Sequence, residues 1–369
     1  MVSAGTYSQY AFIFALLGFV LGASACSAPA ASDPPAPVLP AVTPVARGER
    51  TLSIDVNEPS DGNYDAAFRL AREVGTQSVS LSIPWDSFEL EPGQFSPDPD
   101  YLSIANVYYP GYDTSLALTL APIDTNQLRV PQDLAALSFD DPQMIERFNR
   151  ALEQALARLP ETEVSVLAIG NEIDIYLQGD PAQCAAYASF LAATSAHARS
   201  LRPGLTVGTK ATTGGLLGES RDCLQAINQS SDVILATYYP LGPDFAVRSP
   251  SSPAADFAAL VDLAGSKPVF LLEVGYPSSE RLGSSEAQQA EFVRQVFRAW
   301  DAQAASIPYL SFTWMHDIPG DSLQGYLGYY GLDSAEFAAF LGTLGLRSRD
   351  GRDKPAFLAL AQEAAARGW

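Results

Sequence analysis

Eight short apolar runs, at residues 52–56, 78–83, 115–121, 164–169, 205–209, 233–237, 268–272 and 310–313, alternate with longer stretches of helical period. No other feature limits the fold as strongly. Each run is largely apolar instead of strictly alternating, as expected of parallel strands covered on both faces. The intervening stretches carry helix signals. Asp141-Pro142 opens one with Ile145, Phe148, Leu152 and Leu156 on a single stripe, Ser285 and Gln288 form a capping box before Phe292, Val293, Val296 and Trp300, and the last helix follows Pro355. Eight strand-helix units predict a single α/β domain over 48–369, a (β/α)8 TIM barrel. No glycine-rich phosphate loop follows the first run, as a dinucleotide fold would require.

The residues ahead of this domain read as an export signal. Residues 11–22 (AFIFALLGFVLG) are too short an apolar run to span a bilayer and match the hydrophobic part of a signal peptide over 1–25. Small residues then precede Cys26, the arrangement of a lipoprotein signal whose cysteine is lipidated and becomes the mature N-terminus. Residues 26–47 are rich in proline and alanine and read as a semi-extended tether. The expected location is extracytoplasmic, either membrane-anchored or secreted. In such an oxidising compartment Cys184 and Cys223 form either a disulfide or two buried thiols.

Charge narrows the chemistry. With 22 Lys and Arg against 42 Asp and Glu, the formal charge is -20, which repels nucleic acid and anionic lipid alike. Any membrane contact is therefore expected only through an N-terminal lipid. His197 and His316 are the only histidines, so a multi-histidine metal site is excluded and neither metal nor cofactor is expected. Any chemistry falls to carboxylates.

In a barrel of this type active sites lie at the carboxyl ends of the strands. The fourth run ends in Asn171-Glu172 and the seventh in Glu273. A carboxylate at the tip of a buried apolar strand is costly unless it is solvated or hydrogen-bonded, and these two strands face each other across the barrel mouth. Two facing carboxyls about 5 Å apart are the apparatus of a retaining glycosidase, one protonating the leaving oxygen and the other attacking the anomeric carbon.

These strand ends resemble the clan A glycoside hydrolases. The segments IGNEI (169–173), TYYP (237–240) and EVGYP (273–277) are similar to the arabinogalactan endo-β-1,4-galactanases of family 53, and the resemblance runs through the whole globular region in order. It implies Glu172 as general acid/base, Glu273 as nucleophile, and Asn171 as partner of the sugar 2-hydroxyl. Tyr238 or Tyr239 would orient the nucleophile, with Tyr238 favoured. Trp314, at the end of the eighth run, corresponds to the tryptophan floor common in the clan. Trp85 and His316 are further candidates for substrate contact, and Tyr108, Tyr109 and Tyr112 add aromatic surface near the third run.

One departure stands out. The clan usually carries an arginine on its second strand beside the nucleophile, where this chain has Ser80 and Ser82. Either Lys210, after the fifth run, or a loop cation replaces it, or the nucleophile is less well held. Asp86, Glu89 and Glu91 lie near the same strand end, where they would bind a sugar hydroxyl or a cation or form a solvated acidic loop. The reading is a retaining β-glycoside hydrolase acting as a monomer on an extracellular polysaccharide or oligosaccharide, with a galactan-type β-glycan favoured. Its alternative is a carbohydrate-binding surface lipoprotein without turnover. For the anchor, Cys26→Ala is expected to move the protein from the membrane to the soluble fraction on cell fractionation; unchanged partitioning would rule out lipidation.

Overall fold

The computed structural model describes residues 43–369. The expected signal peptide, Cys26 and the tether up to residue 42 lie outside the described residues. The strands are β1 (Thr51–Asp55), β2 (Ser78–Pro84), β3 (Ser115–Asp124), β4 (Gln127–Leu128), β5 (Val164–Asn171), β6 (Val207–Gly208), β7 (Lys210–Thr212), β8 (Ile234–Tyr238), β9 (Val269–Val274) and β10 (Tyr309–Thr313). They pair in the order β6-β5-β3-β2-β1-β10-β9-β8-β7, with β4 turning back antiparallel on β3 and every other pairing parallel. The fifth expected strand, 205–209, forms only as β6, and β7 follows it past a break at Thr209. β6 pairs with β5 and β7 with β8, so the barrel closes through two short strands in succession.

Side chains sort by strand period. On β2 the serines and the aliphatic residues alternate, so Ser78 turns into the barrel, where its hydroxyl meets that of Tyr309 at 3.0 Å. Ser311 and Ser53 join their hydroxyls at 3.1 Å in the same interior. Val166, Ala168, Val233, Leu235 and Leu272 form one buried apolar cluster beside them. The larger core lies between strands and helices. It takes in Phe148 and Leu152 from the helix capped by Asp141, and Phe292, Val293, Val296 and Trp300 from the helix capped by Ser285.

Two further helices, Gly320–Tyr330 and Ala335–Gly342, fill the connection between β10 and the final helix, Pro355–Ala365. The sequence reading placed no element there.

Cys184 and Cys223 are joined as a disulfide between helices Pro181–Leu201 and Arg221–Ile227. The bridge closes a loop across a separation of 39 residues. Cross-linking of that span restricts the unfolded chain by about 2–4 kcal/mol. Changing both cysteines to alanine is expected to lower unfolding stability by about that amount in urea titration; an unchanged midpoint would show that the bridge adds nothing.

Candidate active site

Glu172 and Glu273 stand at the ends of β5 and β9, and the charge of Glu273 reaches Glu172. Local backbone chemistry explains the approach to Glu172. Gly170 has φ +87°, and a Cβ there would collide with the Tyr187 hydroxyl and with Ile173. Tyr187 needs that space, because its hydroxyl donates to the Ile169 carbonyl at 2.9 Å. Two residues on, Glu172 itself adopts a left-handed conformation at φ +44° and opens the short helix Ile173–Leu177. A non-glycine residue held in this region costs about 1–3 kcal/mol and persists where the surroundings impose it. Its carboxylate accepts from Thr237 (Oγ1 to Oε1, 2.7 Å) and from Thr125 (Oγ1 to Oε2, 3.0 Å).

Glu273 has a different environment. Lys210 Nζ donates to its Oε1 at 2.6 Å and the Tyr239 hydroxyl to its Oε2 at 2.7 Å. The motif glycine serves this contact, since a Cβ on Gly275 would lie 2.6 Å from the Tyr239 ring. Lys210 therefore supplies the cation that β2 lacks. The Ser80 hydroxyl is buried without a partner, and Asp86 is bound instead by Arg129 Nη2 at 2.8 Å.

The two glutamates are driven to opposite protonation states. Burial, reinforced by the charge of Glu273, pushes Glu172 up to about 7. Burial also raises Glu273, but the charge and hydrogen bond of Lys210, with the bond from Tyr239, outweigh it and hold this carboxyl below the usual glutamate range. Burial likewise opposes the Lys210 ammonium, yet Glu273, Glu172 and Asp124 leave its pKa above that of an ordinary lysine.

The two tyrosines exchange the places expected of them. Thr237 points into the mouth, so Tyr238 points outward and Tyr239 inward again. The Tyr238 hydroxyl donates to Asp256 at 2.8 Å and its ring packs on Phe257, away from Glu273. Trp85 is also corrected: it is fully buried, donates to Glu89 at 2.9 Å and packs edge-on against Phe148. Glu89 is itself buried against Arg147, and Asp86, partly exposed, is held by Arg129. Glu91 is exposed. His316 is fully buried between the Asn57 carbonyl and Arg347, and burial lowers its pKa. It is a packing residue. His197 pairs with Glu153 on the outer helices. Tyr108, Tyr109 and Tyr112 pack around Phe68.

Asn171 and Trp314 do face the mouth. Asn171 Nδ2 donates to Asp124 at 2.7 Å while its Oδ1 is buried without a partner. Trp314 follows a cis peptide bond and lies 6.1 Å from the ring of Tyr326. Sequence reasoning missed Asp55, Asp124, Thr125, Thr237 and the tyrosines of helix Gly320–Tyr330. Asp55, at the tip of β1, is raised to about 7 by burial and by the charge of Glu273, with Lys210 and a hydrogen bond from Trp314 opposing. A polar residue at the end of each apolar run was the available signal for Asp55 and Asp124.

No family model matches this sequence, and no curated protein matches it either. The fold does have relatives among solved structures. An exo-β-1,4-mannosidase from Opitutaceae bacterium strain TAV5 is similar at TM-score 0.67 and 18% identity, over 86% of this chain and 59% of that one. This chain thus spans less than two thirds of that enzyme's length. A GH5_18 protein from Bifidobacterium longum subsp. longum, solved with Manβ1-4GlcNAc, gives 0.66 and 14% identity over 86% of this chain and 78% of its own. A family 39 glycoside hydrolase from Bacteroides cellulosilyticus WH2 gives 0.59 and 16% identity over 87% and 65%. At these identities the likeness is one of fold, the barrel of clan A glycoside hydrolases; a link to family 53 in particular is not among these findings.

Linkage gives a test of the Glu172 environment. Its folded pKa lies above the 4.5 of a free glutamate, so the folded chain holds an extra proton between that value and about 7. The stability carried by the neutral carboxyl is present below 4.5 and is lost as pH rises through 7. Glu172→Gln, neutral at every pH, should be more stable than wild type by about 3 kcal/mol near pH 8 and nearly equal to it near pH 4. Denaturant titration at both pH values measures this. An offset independent of pH would contradict the assigned environment.

Proposed function

We propose that this chain is a retaining β-glycosidase that acts outside the cytoplasm on β-linked hexose chains. The observation that carries the reading is the opposite tuning of two strand-end glutamates in one barrel mouth. Glu172, neutral at mildly acidic pH, is the general acid that protonates the glycosidic oxygen. Glu273, kept ionised by Lys210 and Tyr239, is the nucleophile that attacks the anomeric carbon. The C–O bond to the leaving sugar breaks as the ester to Glu273 forms, and the leaving sugar departs with the proton of Glu172. Glu172, now a carboxylate, then takes a proton from water. The resulting attack at the anomeric carbon frees Glu273 and restores the acid.

The remaining residues fit this chemistry. Asn171, oriented by Asp124, contacts the sugar 2-hydroxyl, and Trp314 with Tyr326 and Tyr330 supplies aromatic surface for the ring faces. Two resemblances bear on the sugar: the three sequence motifs favour a galactan-type chain, whereas the disaccharide held by the Bifidobacterium neighbour is manno-configured. The missing arginine favoured a binding protein without turnover. Lys210, in contact with Glu273, makes good that absence and favours turnover. Export by an N-terminal lipoprotein signal accords with the disulfide, which persists in oxidising compartments.

The test is hydrolysis of galacto-, manno-, gluco- and xylo-configured β-linked oligosaccharides by wild type, Glu172→Ala and Glu273→Ala. Wild type should release sugar with the β-anomer appearing first by NMR, and each substitution should lower kcat by about 10³-fold or more. A bell-shaped kcat/KM profile is expected, its basic limb near the Glu172 value of about 7. Binding without release by all three proteins would favour the non-catalytic reading, and an α-anomer formed first would remove Glu273 as nucleophile.

A further inference from the structure

The connection from β10 to the final helix crosses the barrel mouth, and both of its ends are tied to the site. On one flank, Phe337, Phe340 and Leu341 of helix Ala335–Gly342 pack with Leu282, and the ring of Phe340 stands 5.3 Å edge-on to Tyr239. Tyr239 is the residue whose hydroxyl holds Glu273. On the other flank, the Tyr329 hydroxyl donates to Asp124 Oδ2 at 2.6 Å and accepts from Arg129 Nη1 at 2.6 Å. Asn126 Nδ2 donates to the Tyr330 carbonyl at 2.8 Å. Asp124 ends β3, whereas the segment departs from β10, and β1 and β2 lie between those two strands in the sheet. Residues 320–330 therefore bridge the ends of two intervening strands.

The bridge itself carries Tyr326 and Tyr330, and the rings of Trp314, Tyr326 and Tyr330 follow one another at 6.1 and 6.5 Å. Tyr326 senses the charges of Asp55, Asp124 and Glu273, and Tyr330 those of Asp124, Glu172 and Glu273, which agrees with a position over the carboxyls.

A polysaccharide cut at an internal bond must run through the mouth with sugars on both sides of the two glutamates. The unit attacked at its anomeric carbon lies on the non-reducing side of the bond, and it must rest against the nucleophile and the aromatic floor. The bridge stands beside both: Phe340 packs on Tyr239, the partner of Glu273, and Tyr326 lies next to Trp314. We infer that residues 320–342 form a fixed strap that closes the glycone end of the site, so that the chain accepts the non-reducing termini of β-linked oligosaccharides and excludes internal bonds. This inference rests on the glycosidase reading for its sense of direction; the closure itself is a matter of binding and is testable without turnover.

The experiment uses tetrasaccharides of the sugar found active, labelled at the reducing end, with the non-reducing terminus either free or capped, as a 4,6-acetal for a hexose or as a 4-O-benzyl ether for xylose. Wild type should shorten the free series one unit at a time and leave the capped series intact. Tyr329→Phe combined with Asn126→Ala cuts both polar pins and should raise the ratio of capped to free cleavage by about ten-fold. Tyr329→Phe alone, with folding verified by thermal melting, should raise it by less. Internal fragments appearing first, or capped and free chains cleaved alike by wild type, would overturn the strap. If no sugar is released, the glycosidase reading fails, and calorimetric binding of the galacto- and manno-configured ligands decides the strap separately. Binding of free but not capped chains upholds it; equal binding of both, or of neither, overturns it.

Discussion

A single ammonium among four carboxyl groups organises the mouth of this barrel. Asp55, Asp124, Glu172 and Glu273 converge where the strands end, and Lys210 is the buried cation in contact with one of them and within electrostatic reach of the others. Like charges at this density cannot all remain ionised in a partly desolvated site. The outcome is decided by position. The carboxyl that touches the ammonium keeps its charge, and Glu172 and Asp55, which do not, are pushed toward the neutral form. One short contact thus sorts chemically similar groups into an acid and a base. An arginine on β2 would donate a fork of hydrogen bonds; a lysine on β7 offers a compact charge, and Tyr239 supplies the second donor that the fork would have given.

The site is also shaped by what is missing from its side chains. Gly170 and Gly275 each leave a gap that a tyrosine ring or hydroxyl fills, Tyr187 in one case and Tyr239 in the other. Both tyrosines then hold something that matters: Tyr187 the carbonyl just ahead of Asn171 and Glu172, Tyr239 the carboxylate of Glu273. Packing outside the barrel is thereby transmitted to carboxylate orientation inside it. Glu172, left-handed in its backbone, is held at its two side-chain oxygens by Thr125, just past β3, and by Thr237 of β8.

Much of the fold was legible because parallel strands buried on both faces leave long apolar runs, and seven of the eight runs became single strands. The fifth run was read to end at Thr209, and β7 beyond the break there was not expected, because Lys210-Ala211-Thr212 carries no apolar pattern. That break arises from the closure of the sheet, where each short strand pairs on one side only. The two glutamates were legible because a charged residue ending an apolar run is conspicuous. Tyr238 and Tyr239 were not separable, since their order depends on the inward direction of Thr237, which pairs with Glu273 beside a register shift. Trp85 and His316 were misjudged for a shared reason: each sits next to a strand end, but the following residues fold the side chain under the rim into buried hydrogen bonds. The helices over the mouth were missed because their apolar faces are short and interrupted by glycine, so periodicity gives them little weight.

The disulfide has a meaning beyond anchoring two helices. Its loop runs from Cys184 to Cys223 and so contains β6, Thr209, β7 and Lys210. This is the seam of the barrel, the stretch where two short strands in succession each satisfy one neighbour. Local opening in proteins begins where cooperative contacts are fewest. A covalent clasp around that stretch keeps the cation-bearing unit from breathing independently of the rest. Reduction would free the two ends of the loop that carries Lys210, the ammonium in contact with Glu273.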